Sequence, residues 1–239
     1  MPYLFIFDLH NTLVKDNDLV VVNAMNLVLS NHKKNARVDI EYVRNYQAML
    51  KPFVQYFRSV LPDAPEHEIE EMTFETKELC EKFLIKQYIK KMNGAEKVLQ
   101  QIKKTGDTVY VLSFSTTESM GIYLQAAGLS TYVDKMLGIE TIQEMRGNYE
   151  PAKVKTKLLE NQLGANKTKY DKIFMIGDSV HDMKAGKSVG AINIYFTNTS
   201  EVLDIADYSI DKLEDIIKIA YSKRASTGQI LATLKDKEP

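Results

Sequence analysis

Apolar residues fall in two patterns along this chain, short dense runs and stripes at helical spacing, and the two alternate. Tyr3 to Phe7 is an unbroken apolar and aromatic run that stops at Asp8. It is too short for an ordinary helix and predicts a strand buried on both faces. Asp107–Leu112, Lys172–Ile176 and Ala191–Phe196 read the same way, with shorter candidates at Lys135–Ile139 and Tyr208–Ile210. Between them lie helical stretches, Ala95–Thr105, Thr117–Ala127, Pro151–Leu163, Asp182–Val189 and Leu213–Tyr221, four of them followed by Gly106, Gly128, Gly164 and Gly190. Strands alternating with helices of this length predict βαβ units and a parallel sheet.

Residues 17–92 follow a different grammar. Asp18 suits the N-cap of a helix over Leu19–Ser30, and Asp39 that of Ile40–Leu50, whose buried candidates are Ile40, Tyr42, Val43, Tyr46, Met49 and Leu50. A short segment, Phe53 to Leu61, precedes Pro62 and Pro65. From Glu66 to Lys91 the pattern is helical throughout, with Ile69, Met72, Leu79, Phe83, Leu84 and Tyr88 on one side. No strand is expected here. The predicted architecture is α/β: a Rossmann-like parallel-sheet core from residues 1–16 and 93–221, an inserted α-helical cap over 17–92, and a polar, lysine-rich tail over 222–239 that is a frayed end or a partner-binding helix, the former preferred.

Composition narrows the function classes. With 239 residues and 44% hydrophobic content the chain can bury a sizeable core. A formal net charge of −1 gives no reason to expect nucleic acid or an anionic membrane as partner. The single cysteine, Cys80, forbids an internal disulfide, suits a reducing compartment and is expected to serve packing. No stretch approaches membrane-spanning length. The expectation is a cytoplasmic protein.

The candidate chemistry sits where apolar strands end. In an open parallel sheet, ligands bind outside the carboxyl ends of the strands. Asp8 ends the first run, and Gly177-Asp178-Ser179 follows the run at Lys172, with Asp182 four residues beyond Asp178. The pair at i and i+4 also suits the N-terminus of a helix, where negative charge is favourable. Gly177 reads equally as a tight turn. Ser113, after another strand, has the plain reading of a hydroxyl satisfying a loop amide.

Together these residues resemble the haloacid dehalogenase superfamily. The strand ending in Asp8, with an acid/base position two residues on and then Thr12, resembles its first motif. Ser113 fits the second, Gly177-Asp178-Ser179-x-x-Asp182 the fourth, and Lys153 the third, with Lys155 possible. The third departs from the pattern, because Glu150-Pro151 stands where members often carry Lys-Pro. The resemblance implies a carboxylate nucleophile at Asp8 that attacks phosphorus. It also implies Mg²⁺ held by Asp8, the main chain of His10 and Asp178, with Asp182 binding a metal-bound water or holding Lys153. Ser113, Lys153 and backbone amides near Leu9 and Phe114 would take the phosphoryl oxygens. The helical insert resembles the caps of one branch, which suit small phosphorylated metabolites. Tyr42, Tyr46, Phe53, Tyr56 and Phe57 would line it or form its core.

His10 is the departure that matters, since most phosphatases of this family carry a second Asp there, followed by Gly where Asn11 stands. Three readings follow. His10 does the acid/base work, as a group titrating near neutrality can. Or that function is lost, leaving a slow enzyme or a phosphate-binding module. Or the site runs different chemistry, as dehalogenases do, although the Asp178 signature argues for keeping the metal. His32 and His67 are expected on the surface, and His181 in solvent or behind the site.

Overall fold

A computed structural model describes residues 1–49, 53–139, 151–199 and 202–222. Residues 223–239 of the tail, and Leu50 and Glu150 among the residues named above, lie outside that set. Strands β1 (Leu4–Asp8), β4 (Thr108–Thr116), β5 (Lys135–Ile139), β6 (Ile173–Gly177), β7 (Ile192–Phe196) and β8 (Tyr208–Ile210) form one sheet in the order β5-β4-β1-β6-β7-β8. Every neighbouring pair is parallel. β1 is central, and the chain builds outward first through β4 to β5 and then through β6 to β8. The reversal falls beside β1, where such sheets bind ligands.

The period-2 alternation of β1 distributes its side chains between two cores. Phe5 and Phe7 face one cluster, with α6 (Ala95–Lys104), α7 (Thr117–Ala126) and α10 (Asp215–Tyr221). Leu4 and Ile6 face the other, with Leu159 and Leu163 of α8 (Pro151–Leu163) and Met183 and Ala185 of α9 (Val180–Ser188). Asp8 shares the parity of Leu4 and Ile6 and so belongs to the α8–α9 side.

Between β2 (Val14–Lys15) and β3 (Lys90–Lys91) the chain is helical: α1 (Asn17–Asn31), α2 (Ile40–Ala48), α3 (Phe53–Val60), α4 (Glu66–Leu79), a π turn (Cys80–Leu84) and α5 (Ile85–Tyr88). These helices have a hydrophobic core of their own around Val21, Met25, Tyr56, Phe57, Ile69 and Met72. Four expectations are corrected here. β3 is a strand where none was expected; it pairs antiparallel with β2, Val14 opposite Lys91, and clamps the two chain crossings together. Two residues are too few to leave a periodic signal. The helix expected to run unbroken to Lys91 carries the π turn, whose extra residue shifts the phase of everything after it. Ile85 and Ile89 therefore take the buried face, and Phe83 is 64% exposed. The cap of α1 is Asp16, in left-handed backbone, while Asp18 lies in the first turn and pairs with Arg44. α2 ends at Ala48, leaving Met49 exposed. Asp39 caps α2 as expected, accepting from the Tyr42 amide. Cys80 is buried and reduced. Among the described residues no helix is long and apolar enough to cross a membrane.

Candidate active site

Four elements end at one point. β1 brings Asp8, β4 brings Ser113, β6 and the turn after it bring Asp178, and α9 starts with Ser179 as its cap. Ser179 Oγ accepts from the Asp182 amide, and the Asp182 carboxylate accepts from the Ser179 amide at 3.1 Å and from Ser179 Oγ at 2.6 Å. This reciprocal box fixes the rotamer of Asp182 through one of its oxygens. The other oxygen accepts from Lys155 Nζ at 2.5 Å, and the same ammonium donates to Asp8 Oδ1 at 2.5 Å. One oxygen each from Asp8, Asp178 and Asp182 lie within 4.8 Å of one another.

Lys155, and not Lys153, is therefore the lysine of the site. Lys155, Leu159 and Leu163 follow at steps of four on α8 and are all buried, the two leucines in the cluster that holds Leu4 and Ile6 of β1, Leu112 of β4 and Leu137 of β5. Lys153 stands two residues earlier, about 200° away around the helix, and is exposed. The missing Lys-Pro signature obscured the choice, but the spacing to Leu159 and Leu163 contained it.

The electrostatics follow from three carboxylates sharing one lysine out of water. Burial pushes the Asp8 carboxyl well above the usual carboxylate range; Lys155 opposes this, and the charges of Asp182 and Asp178 add to it. Asp178 is raised to about 6, first by burial and then by Asp182, while Lys155 and a hydrogen bond from the Asn11 side chain pull the other way. Burial would lower the Lys155 ammonium, but Asp182 and Asp8 outweigh it and hold it above its ordinary value.

A cavity of about 720 Å³ covers these groups, lined also by Asn11, Lys15, Arg44, Ser115 and His181 from the chain's other segments. His10 lines it with Nε2 3.0 Å from Ser115 Oγ and its ring edge-on to Tyr123, centroids 4.6 Å apart. Burial, and next the charge of Lys155, push its imidazole down to about 4. Asn11 sits at φ 58, the left-handed region that Asn tolerates better than most residues, so it serves where Gly is usual. Ser113 Oγ accepts from the Ser115 amide at 3.2 Å, the loop role weighed against phosphate contact, and also lines the cavity. The Phe114 ring centroid lies 4.9 Å from Lys155 Nζ. Phe53 and Tyr56 line the cavity, whereas Phe57 is core. His181 lines it too, half-buried. His67 is exposed as expected, but His32 is not a bare surface residue, since its Nε2 lies 2.9 Å from Glu75. Sequence reasoning passed over Ser115 and Tyr123, because hydroxyls and rings inside apolar stretches carry no pattern of their own.

Gly177 is required for space and not for a turn. Its backbone needs no positive φ, but a Cβ there would lie 2.5 Å from Asp182 Cβ. Gly177→Ala is expected to cost about 2 kcal/mol in urea unfolding and to lower turnover by displacing Asp182 from Lys155. A variant within about 0.5 kcal/mol of wild type would contradict this close packing.

The comparisons agree with this geometry. The chain is 22% identical over 223 residues to pyrophosphatase PpaX of Bacillus cereus, covering 90% of this chain and 94% of that protein. Among solved structures it resembles a predicted phosphoglycolate phosphatase from Haemophilus somnus, with a TM-score of 0.72 at 20% identity, over 91% of this chain and 97% of the other. CbbY from Rhodobacter sphaeroides, solved in complex with phosphate, gives 0.67 at 15% identity over 89% and 95%. The model of the haloacid dehalogenase-like hydrolases matches residues 4–190, most of the length that carries β1, the lysine helix α8 and the Asp178 turn, and the chain belongs to that family.

Proposed function

We propose that the chain is a Mg²⁺-dependent phosphohydrolase that cleaves a small phosphomonoester through an aspartyl-phosphate on Asp8. The observation that carries this is the convergence of Asp8, Asp178 and Asp182, with one oxygen of each within 4.8 Å of the others, beside the Lys155 ammonium that bridges Asp8 and Asp182. The donor set fits the metal: all its atoms are hard carboxylate oxygens, and three carboxylates against one lysine leave negative charge for a divalent cation to balance. Asp8 and Asp178 would hold the ion with the His10 carbonyl, while Asp182, both oxygens already engaged, positions Lys155. When bound, Mg²⁺ lets a phosphate dianion approach the carboxylate and offsets charge that develops in transfer.

The chain's own residues do the rest. Asp8 Oδ attacks phosphorus, the P–O bond to the leaving group breaks, and water then cleaves the acyl phosphate, returning Asp8 and releasing orthophosphate. Lys155 orients Asp8 and neutralises charge beside it. Ser113 and Phe114, at the end of β4, offer hydroxyl and amide donors to the phosphoryl oxygens. His10, its imidazole kept neutral by burial and by the charge of Lys155, lines the chamber as the base that draws a proton from the attacking water, while the leaving oxygen takes its proton from solvent. The helical insert serves as a cap that screens the reaction from bulk solvent.

The experiment is phosphate release from a panel of phosphomonoesters with Mg²⁺ and with excess EDTA. Turnover is expected to vanish in EDTA and return with added Mg²⁺; an unchanged rate in EDTA would refute the metal. A second reading, an impaired phosphate-binding module, is favoured by His10 standing where the family carries Asp. His10→Ala separates them. A fall of about 10²-fold or more fits an acid/base role, and an unchanged rate fits the module.

A further inference from the structure

A second cavity of about 650 Å³ adjoins the reaction chamber, within the range of small-molecule sites. It opens between α3 and α4 on one side and the β4–α7 junction on the other, and Phe53, Phe114, Ser115 and Tyr123 line both spaces. The remaining wall is largely apolar, with Val54, Phe74, Ile85 and Ile139.

Its charge is as informative as its shape. Among the described residues the wall carries Arg58 and Lys77 against Glu66, Glu70 and Glu81, one more acid than base. Both cations are engaged, Arg58 with Glu66 and Lys77 with Glu81. In the reaction chamber, Arg44 pairs with Asp18 and Lys15 donates to Asn93 at 3.1 Å. Lys15 keeps its charge, since Asn93 is neutral, but a second phosphate or carboxylate entering the second cavity would meet apolar rings, net negative charge and two cations already ion-paired. Glu81 lies on the π turn, a feature common at functional sites, and accepts from Ser119 Oγ; its side chain, 13% exposed, gives the wall a held acceptor.

We propose that this cavity is the leaving-group subsite, and that the group it takes is neutral or cationic and carries an apolar ring. The inference rests on the phosphohydrolase reading of the Asp8 chamber, and it sets this chain apart from a relative named for pyrophosphate and a fold neighbour named for phosphoglycolate.

Calorimetric binding with Mg²⁺ tests it without turnover. Benzylphosphonate is expected to bind at least tenfold more tightly than phosphonoacetate. Phe74→Ala, at a wall position that is 66% exposed and outside the cores, is expected to cut that ratio at least threefold. Phosphonoacetate binding as tightly as benzylphosphonate, no binding of either, or an unchanged ratio in Phe74→Ala would each overturn the subsite. Phosphate release from benzyl phosphate is read separately. A protein with the tenfold preference and no release keeps the subsite and loses the hydrolase reading.

Discussion

Asp8→Asn is expected to lower metal-dependent phosphate release by about 10⁴-fold or more, because the amide oxygen is too weak a nucleophile to open an acyl-phosphate route. The side chain keeps its shape, so the loss is chemical. Lys155 retains Asp182 as partner at 2.5 Å, and the α8–α9 packing beneath it is untouched. Removing one of three clustered carboxylates also relieves repulsion, so the variant is expected to unfold at a urea concentration no lower than wild type. Rapid-quench phosphate assays beside equilibrium unfolding make the check. A folded Asp8→Asn protein with turnover within tenfold of wild type would move the nucleophile elsewhere, and with it the role assigned to the end of β1.

The same strand explains how much of the molecule was legible beforehand. Tyr3 to Phe7 is buried on both faces, so its apolar run declares a central parallel strand, and β4, β6 and β7 declare themselves likewise. Their ends mark Asp8 and Asp178 as candidates, and only the motif resemblance joins the two into one site. What pattern does not encode is phase inside helices and pairing over two residues. The π turn at Cys80–Leu84 rotates the insert's apolar stripe midway, which put Phe83 on the wrong face. The β2–β3 clamp is held by backbone bonds, which leave no trace in side-chain type. The second cavity was invisible for a related reason. Its walls come from α3, α4, the π turn and β4, segments whose residues are far apart in sequence and individually look like core or surface.

Lys155 and Lys153 provide the sharpest contrast, since they are identical residues two positions apart on one helix. Lys155 is 3% exposed and bridges Asp8 and Asp182, whereas Lys153 is exposed. Lys155→Met keeps the apolar stem and removes the charge, leaving two buried carboxylates facing each other and Asp178 without a compensating cation. Removing one partner from a buried ionic cluster costs about 3 kcal/mol or more, and that loss should appear in urea unfolding. Phosphate release is expected to fall about 10³-fold, since the same ammonium both orients the nucleophile and offsets transition-state charge. Mg²⁺ should restore part of the lost stability by supplying the positive charge that the lysine no longer brings, and only to the folded chain. Lys153→Met is expected to remain within about 0.5 kcal/mol of wild type and to keep full turnover. Equal effects at the two positions would mean that α8 presents a different face to β1, and the carboxylates would then need another source of compensation.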